Sequence, residues 1–250
     1  MCSLVILRRP GADYPVLVAA NRDEMAGRPW RPPARHWEDR PEVVGGFDDL
    51  AGGSWLAVND HGVLAAVLNR EGTLGPAEGK RSRGELVLDA LDHPDALLAA
   101  DALTGLDPDA YRPFNLVVAD NRDAYFASSR GDGIMRVRPI PEGLSMVTAA
   151  DPNDHSSARI RRFRPLFAAA AAPDPAAGDW AGWERLLASR DHEPGADRRD
   201  AMCVATPTGF GTTSSALVAL PAIDRPDLPP VWRFAAGPPG TVPWTDVSLG

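Results

Sequence analysis

Cys2 is the residue whose type and place in the chain most directly suggest chemistry. A cysteine is small enough for a preceding initiator methionine to be trimmed, and Met1 stands before it. Once exposed, such a residue carries a thiol with an ordinary pKa of about 8.5 and an α-amine with one of about 7.7–8.0. One residue then holds both a nucleophile and a base close to working pH. The plainer reading is a small apolar residue opening a strand, because free cysteine buries readily. The second set is Asn21-Arg22-Asp23-Glu24. An amide or carboxylate here, if brought beside residue 2, can hydrogen-bond the terminal amine. Asn21 and Asp23 supply those groups, with Asp23 as orienter, and Arg22 can hold a substrate carboxylate or an internal ion pair.

The elements that must do this positioning are legible in outline. Cys2 to Leu7 is mostly apolar, with β-branched Val5 and Ile6, and reads as a strand. Gly11-Ala12-Asp13 is a turn and Val16 to Ala20 a second strand, so a hairpin returns residues near 20 to the side of residue 2. Asn21 to Pro33, with Gly27, Pro29, Pro32 and Pro33, reads as an irregular loop. Gly53 to Val58 and Val63 to Asn69 form a further hairpin about Asn59-Asp60-His61-Gly62. Ser82 with Glu85 forms a capping box for a helix to Leu91, and Pro94 to Leu103 is a second helical run. Strands follow over Phe114 to Ala119, Ala124 to Ser129, Met135 to Arg138 and Leu144 to Ala149. His155 to Ala172 and Asp179 to Ser189 are helical, with Pro165 able to kink or split the first. Ala201 to Ala205, Ser214 to Leu220 and Trp232 to Ala236 close the chain as strands. Hairpins alternating with helix pairs give a layered α+β fold rather than βαβ winding, in one domain over residues 1–250.

Composition narrows the function. The 250 residues carry 26 Lys+Arg against 34 Asp+Glu, a net charge of −8, which disfavours nucleic acid and anionic lipid as partners. No apolar run approaches the roughly 20 residues of a membrane-spanning helix, and Arg8, Arg9 and Asp13 interrupt any signal-peptide core. A cytoplasmic protein without membrane insertion is expected. The two cysteines, Cys2 and Cys203, make no C-x-x-C, so zinc ribbons and thioredoxin chemistry are excluded. His36, His61, His93, His155 and His192 show no metal-ligand spacing. Gly209 to Ser214 resembles a phosphate loop but lacks the lysine and leads into a strand. Arg159, Arg161, Arg162 and Arg164 read as one solvated helix face paired with neighbouring carboxylates. Trp30 and Trp37, in a Pro-rich stretch, either wall an apolar pocket or staple that stretch to the core.

Met1-Cys2 before a strand, then Ala19-Ala20-Asn21-Arg22-Asp23-Glu24, resembles the NRDE family, also called the transport and Golgi organisation protein 2 family. Further matches follow in order: Gly52-Gly53-Ser54-Trp55-Leu56, Leu68-Asn69-Arg70, Arg83-Gly84-Glu85-Leu86-Val87, Phe114-Asn115-Leu116, Cys203-Val204 and Gly209-Phe210-Gly211-Thr212. The resemblance implies a four-layer αββα sandwich of the N-terminal-nucleophile hydrolase type, and cleavage of a small non-peptide amide or related acyl bond. It implies Cys2 as nucleophile, Asp23 as its positioning group, Asn69 as oxyanion donor, and Trp55 and Arg83 as substrate-side or structural residues. This chain departs from the family pattern at Thr148-Ala149, where a Ser-Asn step is usual although Asn153 lies nearby, and at Thr213, where an arginine often stands. The partner is a small-molecule substrate, with no cofactor required for hydrolysis. The family also implies an alternative, haem binding and trafficking, in which the Cys2 thiolate ligates iron. An inactive metabolite- or lipid-handling module on the same scaffold is a third reading.

Overall fold

A computed structural model describes residues 2–249, and the N-terminal hairpin is where sequence and structure meet first. Strand β1 (Ser3–Arg8) pairs antiparallel with β2 (Val16–Met25), Ser3 opposite Asn21 and Arg8 opposite Val16. The chain divides into two compact units. The first runs to Arg28 and resumes over Glu142–Val247; the second holds Pro29–Pro141 and the last residues from Ser248.

The first unit is a six-stranded antiparallel sheet. From one edge, β10 (Gly143–Val147) pairs with β1, β1 with β2, and β2 with β11 (Phe210–Leu220). Then come β12 (Val231–Ala235) and β13 (Trp244–Asp246). Strand alternation sends Val5, Leu17, Ala19, Leu217 and Ala219 to one face. There they form a core with Ile160, Phe163 and Phe167 of α3 (Ala158–Ala169) and Trp183 and Leu187 of α4 (Ala181–Leu187). Leu4, Ile6, Val18, Ala216 and Val218 lie on the opposite face and are equally buried. Ser157 caps α3 by accepting the Ile160 N–H, and the helix runs through Pro165 without splitting.

Two expectations fail here for identifiable reasons. Residues after Ala20 are not loop: β2 continues to Met25 because β11 is long enough to pair with it as far as Phe210. Ala201 to Ala205 is not a strand. The Cys203 N–H goes to the Ser189 carbonyl and the Val204 N–H to the Thr212 hydroxyl, so a side chain and a loop take the bonds a ladder needs.

The second unit is a seven-stranded antiparallel meander in chain order. Its strands are β3 (Trp30–Ala34), β4 (Val43–Asp48), β5 (Leu56–Asn59), β6 (Leu64–Asn69), β7 (Phe114–Ala119), β8 (Ala124–Ser129) and β9 (Met135–Pro139). Pro32 and Pro33, expected in a loop, sit in β3, an edge strand with a register shift where missing donors cost little. Strand β4 has no clear sequence signal because Gly45-Gly46 interrupts its apolar run. Its glycines serve packing instead, since a Cβ on Gly46 would lie 2.3 Å from the Trp55 ring. Trp37 staples: its indole N–H donates to the Gly52 carbonyl at 2.8 Å. Helices α1 (Gly84–Leu91) and α2 (Ala96–Thr104) cover one face through Leu86, Val87, Leu91, Ala99 and Leu103. The expected capping box is absent, because Glu85 turns to Arg81 at 2.7 Å while Ser82 Oγ accepts the Gly84 N–H.

Tyr111 in this core gives a pH prediction. Its ring is buried under the Arg81 guanidinium, its hydroxyl has no hydrogen-bond partner among the described residues, and burial pushes its pKa from 10.0 up to about 12. The unfolded chain therefore loses this proton first as pH rises. Stability is expected to be intact below pH 10 and to fall between pH 10 and about 12. Chemical denaturation across that range checks it, and Tyr111→Phe should flatten the slope.

Candidate active site

Cys2 is half-buried, one residue before the Ser3–Asn21 pair. The Asp23 main chain brackets its sulfur: the Asp23 N–H donates to Sγ at 3.4 Å, and the thiol donates to the Asp23 carbonyl at 3.6 Å. Burial pushes the Cys2 thiol above its ordinary pKa and the nearby Asp23 carboxylate adds to the rise. At neutral pH the group is a thiol, so a reaction at sulfur needs a base.

Asp23 is fully buried, as a carboxylate can be only when paired. Its Oδ1 accepts the Thr212 hydroxyl at 2.6 Å and its Oδ2 pairs with Arg159 Nη1 at 3.2 Å. Arg159 comes from α3, and its Nη2 donates to the Arg199 carbonyl. This corrects the reading of the arginine run. Arg161 and Arg162 do face Glu193 and Asp191 at the surface, but Arg159 is buried. The available signal was spacing: Arg159, Phe163 and Phe167 recur at i, i+4 and i+8, on the buried stripe of α3. Thr212 stands opposite Asp23 in the β2–β11 register, beside a bulge at Thr213. Gly211 lets β11 start there, since a Cβ on it would lie 2.8 Å from the Val204 carbonyl oxygen.

The neighbouring residues have defined tasks. Asn21 donates to the carbonyls of Leu187 and Met202 and accepts the Ser215 hydroxyl at 2.6 Å, which ties β2 to the segment after α4. Arg22, also buried, donates from Nη1 to Thr213 Oγ1 at 3.2 Å. Near the Thr148-Ala149 step, Asn153 turns its amide onto β10. At φ 60° it accepts the Met146 N–H and donates to Ser145 Oγ, while Thr148 donates to Ser157. Cys203 is buried, and burial pushes its thiol up.

The remaining singled-out residues belong to the second unit. Asn69 ends β6 opposite Phe114, on the α1/α2 side of the sheet by alternation. The loop after it is tied down by Arg83. Nη1 of Arg83 donates to the Thr73 carbonyl at 2.9 Å, the Thr73 hydroxyl at 3.0 Å and the Pro113 carbonyl at 3.2 Å. Arg70 Nη1 donates to the buried Asn115 at 2.6 Å. Three fragments distant in sequence, 68–70, 83–85 and 114–116, thereby meet. Trp55 lies against Gly46 and meets Trp30 edge-on at 5.7 Å. Arg83→Ala is expected to lower stability by about 1.5–3 kcal/mol, the scale of lost charged hydrogen bonds, seen as a lower urea midpoint at unchanged slope.

Among the described residues, no group of three or more His, Cys, Asp or Glu is placed to hold a metal ion, and no helix is long and apolar enough to cross a membrane. Residues 1–220 match the family described as Transport and Golgi organisation 2. A Bos taurus transport and Golgi organization protein 2 homolog is 35% identical over 126 residues, 48% of this chain and 42% of that protein. The human homolog is 33% identical over the same shares. The match thus spans less than half the length of these relatives. Among solved structures, a Caenorhabditis elegans N-acylethanolamine-hydrolyzing acid amidase ortholog superposes with a TM-score of 0.57 at 13% identity, covering 90% of this chain and 96% of that one. Penicillin V acylase from Agrobacterium tumefaciens gives 0.52 at 13% identity, covering 99% and 86%. Conjugated bile acid hydrolase from Clostridium perfringens gives 0.54 at 11% identity, covering 100% and 94%. The expected α+β fold of the N-terminal-nucleophile hydrolase type is borne out by these matches.

Proposed function

Because the chain belongs to the transport and Golgi organisation 2 family, we propose that it hydrolyses a small non-peptide amide or related acyl bond through Cys2, freed by removal of Met1. The observation that carries this reading is the Cys2 sulfur held between the N–H and carbonyl of Asp23, whose carboxylate is itself clamped. The structural neighbours support the substrate class, being named for an N-acylethanolamine, penicillin V and conjugated bile acids. Sγ adds to the acyl carbon as the Cys2 α-amine takes the thiol proton. The C–N bond then breaks, the amine leaving group receives that proton, and an acyl-thioester remains on Cys2. Water attacks the thioester with the amine again as base, releasing the carboxylic acid and restoring the thiol. Arg22, next to Asp23 on β2, is the residue assigned to the substrate side, whereas Asn21 spends its amide on Leu187, Met202 and Ser215 and serves the scaffold.

Intact mass before and after iodoacetamide, with N-acylethanolamine, penicillin V and taurine-conjugated bile acid assayed in parallel, tests the proposal. Loss of the Met1 mass, labelling of Cys2 ahead of buried Cys203, and release of the free amine or acid support it. Retained Met1 with no hydrolysis overturns it. Haem titrated into the same sample addresses the alternative use of the thiol: a saturable Soret shift lost in Cys2→Ala would move the assignment to haem handling, with Cys2 as the residue that would hold the iron.

A further inference from the structure

The group nearest the sulfur is a main-chain segment, and what fixes that segment lies on other elements. The Asp23 N–H and carbonyl flank Cys2 Sγ at 3.4 and 3.6 Å. The carboxylate of the same residue is held at both oxygens, by Thr212 of β11 and Arg159 of α3. Neither holder is itself loose. Thr212 Oγ1 also accepts the Val204 N–H at 2.8 Å, and Arg159 also donates to the Arg199 carbonyl. Thr212 and Arg159 lie 189 and 136 residues from Asp23 in sequence, so this convergence is not a by-product of local chain geometry. Asp23 cannot rotate about its own backbone without breaking a contact at each oxygen. Displacing either holder therefore displaces the two groups that bracket the thiol.

We propose that Arg159 and Thr212 are positioning residues for Cys2. They act through Asp23 as a two-point clamp that fixes the direction of the sulfur and of the amine beside it. The proposal rests on Cys2 being the nucleophile, and its test has a readout that does not need a substrate. The clamp touches neither the sulfur nor the acyl group, so its loss should lower kcat while leaving KM in place. A misplacement of about 1 Å costs on the order of 10²-fold.

The experiment compares wild type, Thr212→Val, Thr212→Ser and Arg159→Lys for Cys2 iodoacetamide labelling rate, by mass, and for kcat and KM on the best amide found. Thr212→Val keeps the shape and removes the donor. It should change the Cys2 labelling rate about tenfold or more and reduce kcat on the order of 10²-fold at unchanged KM. Thr212→Ser restores the hydroxyl and should return both to within about threefold of wild type, a rescue that a packing role alone would not give. If Thr212→Val does not fold, Arg159→Lys decides. Lysine keeps the charge but has one nitrogen for the two acceptors Asp23 and Arg199, and should give the same pattern. Folded Thr212→Val or Arg159→Lys with wild-type labelling and kcat overturns the clamp. If wild type cleaves no amide, the hydrolase reading fails, yet a labelling change rescued by Thr212→Ser still supports the clamp, and its absence still removes it.

Discussion

Cys2→Ala is expected to abolish amide hydrolysis while leaving the fold in place. The fall should be on the order of 10⁶-fold in kcat, the scale on which loss of a covalent nucleophile is felt. Alanine fits the half-buried site and leaves every described main-chain bond of β1 intact. A second variant separates thiol from amine. Inserting a lysine between Met1 and Cys2 keeps the methionine in place, so the sulfur remains but its own base does not form. Burial and the Asp23 charge hold that thiol protonated at neutral pH, so activity should fall about 10²–10⁴-fold, the usual worth of a general base. Steady-state assays with mass-verified N-termini check both. Hydrolysis that survives Cys2→Ala would remove this residue from the chemistry.

Arg159→Met is expected to be the most damaging substitution for stability among those that leave Cys2 untouched. It removes the guanidinium from the Asp23 carboxylate, which is wholly buried, and leaves that charge without its Arg159 partner. Breaking one half of a buried ion pair costs about 3–5 kcal/mol, because the charge left behind keeps its desolvation penalty. Combining Arg159→Met with Asp23→Asn removes that charge, and should regain a large part of the loss. Urea denaturation of the two single variants and the double variant gives the coupling directly. A single Arg159→Met within 1 kcal/mol of wild type, taken as roughly the cost of an exposed pair, would mean that the pair is solvated.

What could be read from the sequence follows physical lines. Phe114–Ala119 and Ala124–Ser129 were plain because apolar residues and a polar turn mark them locally. The N-terminal hairpin was plain for the same reason, and it is what puts Asp23 beside Cys2. Strand β4 is hidden because its glycines make room for long-range neighbours, Gly45 for Ala57 and Gly46 for Trp55, contacts no local pattern announces. The Ala201–Ala205 strand was overread because its propensity is real, but its N–H groups are claimed by Ser189 and Thr212. At the site, Cys2 and Asp23 were found by residue type and hairpin geometry. Thr212 lies in a glycine-rich run that matches the family pattern, but nothing in that run points to its carboxylate partner. Arg159 was lost inside a charge run, where three of four members do not share its partner. Both omissions are long-range contacts, and sequence proximity carries no trace of them.

The distance between Asp23 and its holders also sets an order of events during synthesis. Thr212 follows Asp23 by 189 residues. At translation rates of about 5–20 residues per second, roughly 10–40 seconds separate the emergence of the two. For that interval β1 and β2 can close as a hairpin, but β11 does not yet exist to lie beside them. Until the far end of the sheet arrives, Cys2 lacks the Asp23 setting that Thr212 completes. A nascent or C-terminally truncated chain therefore carries the sulfur without the Thr212 contact that holds Asp23, and any chemistry at Cys2 that depends on that contact waits until synthesis is nearly finished.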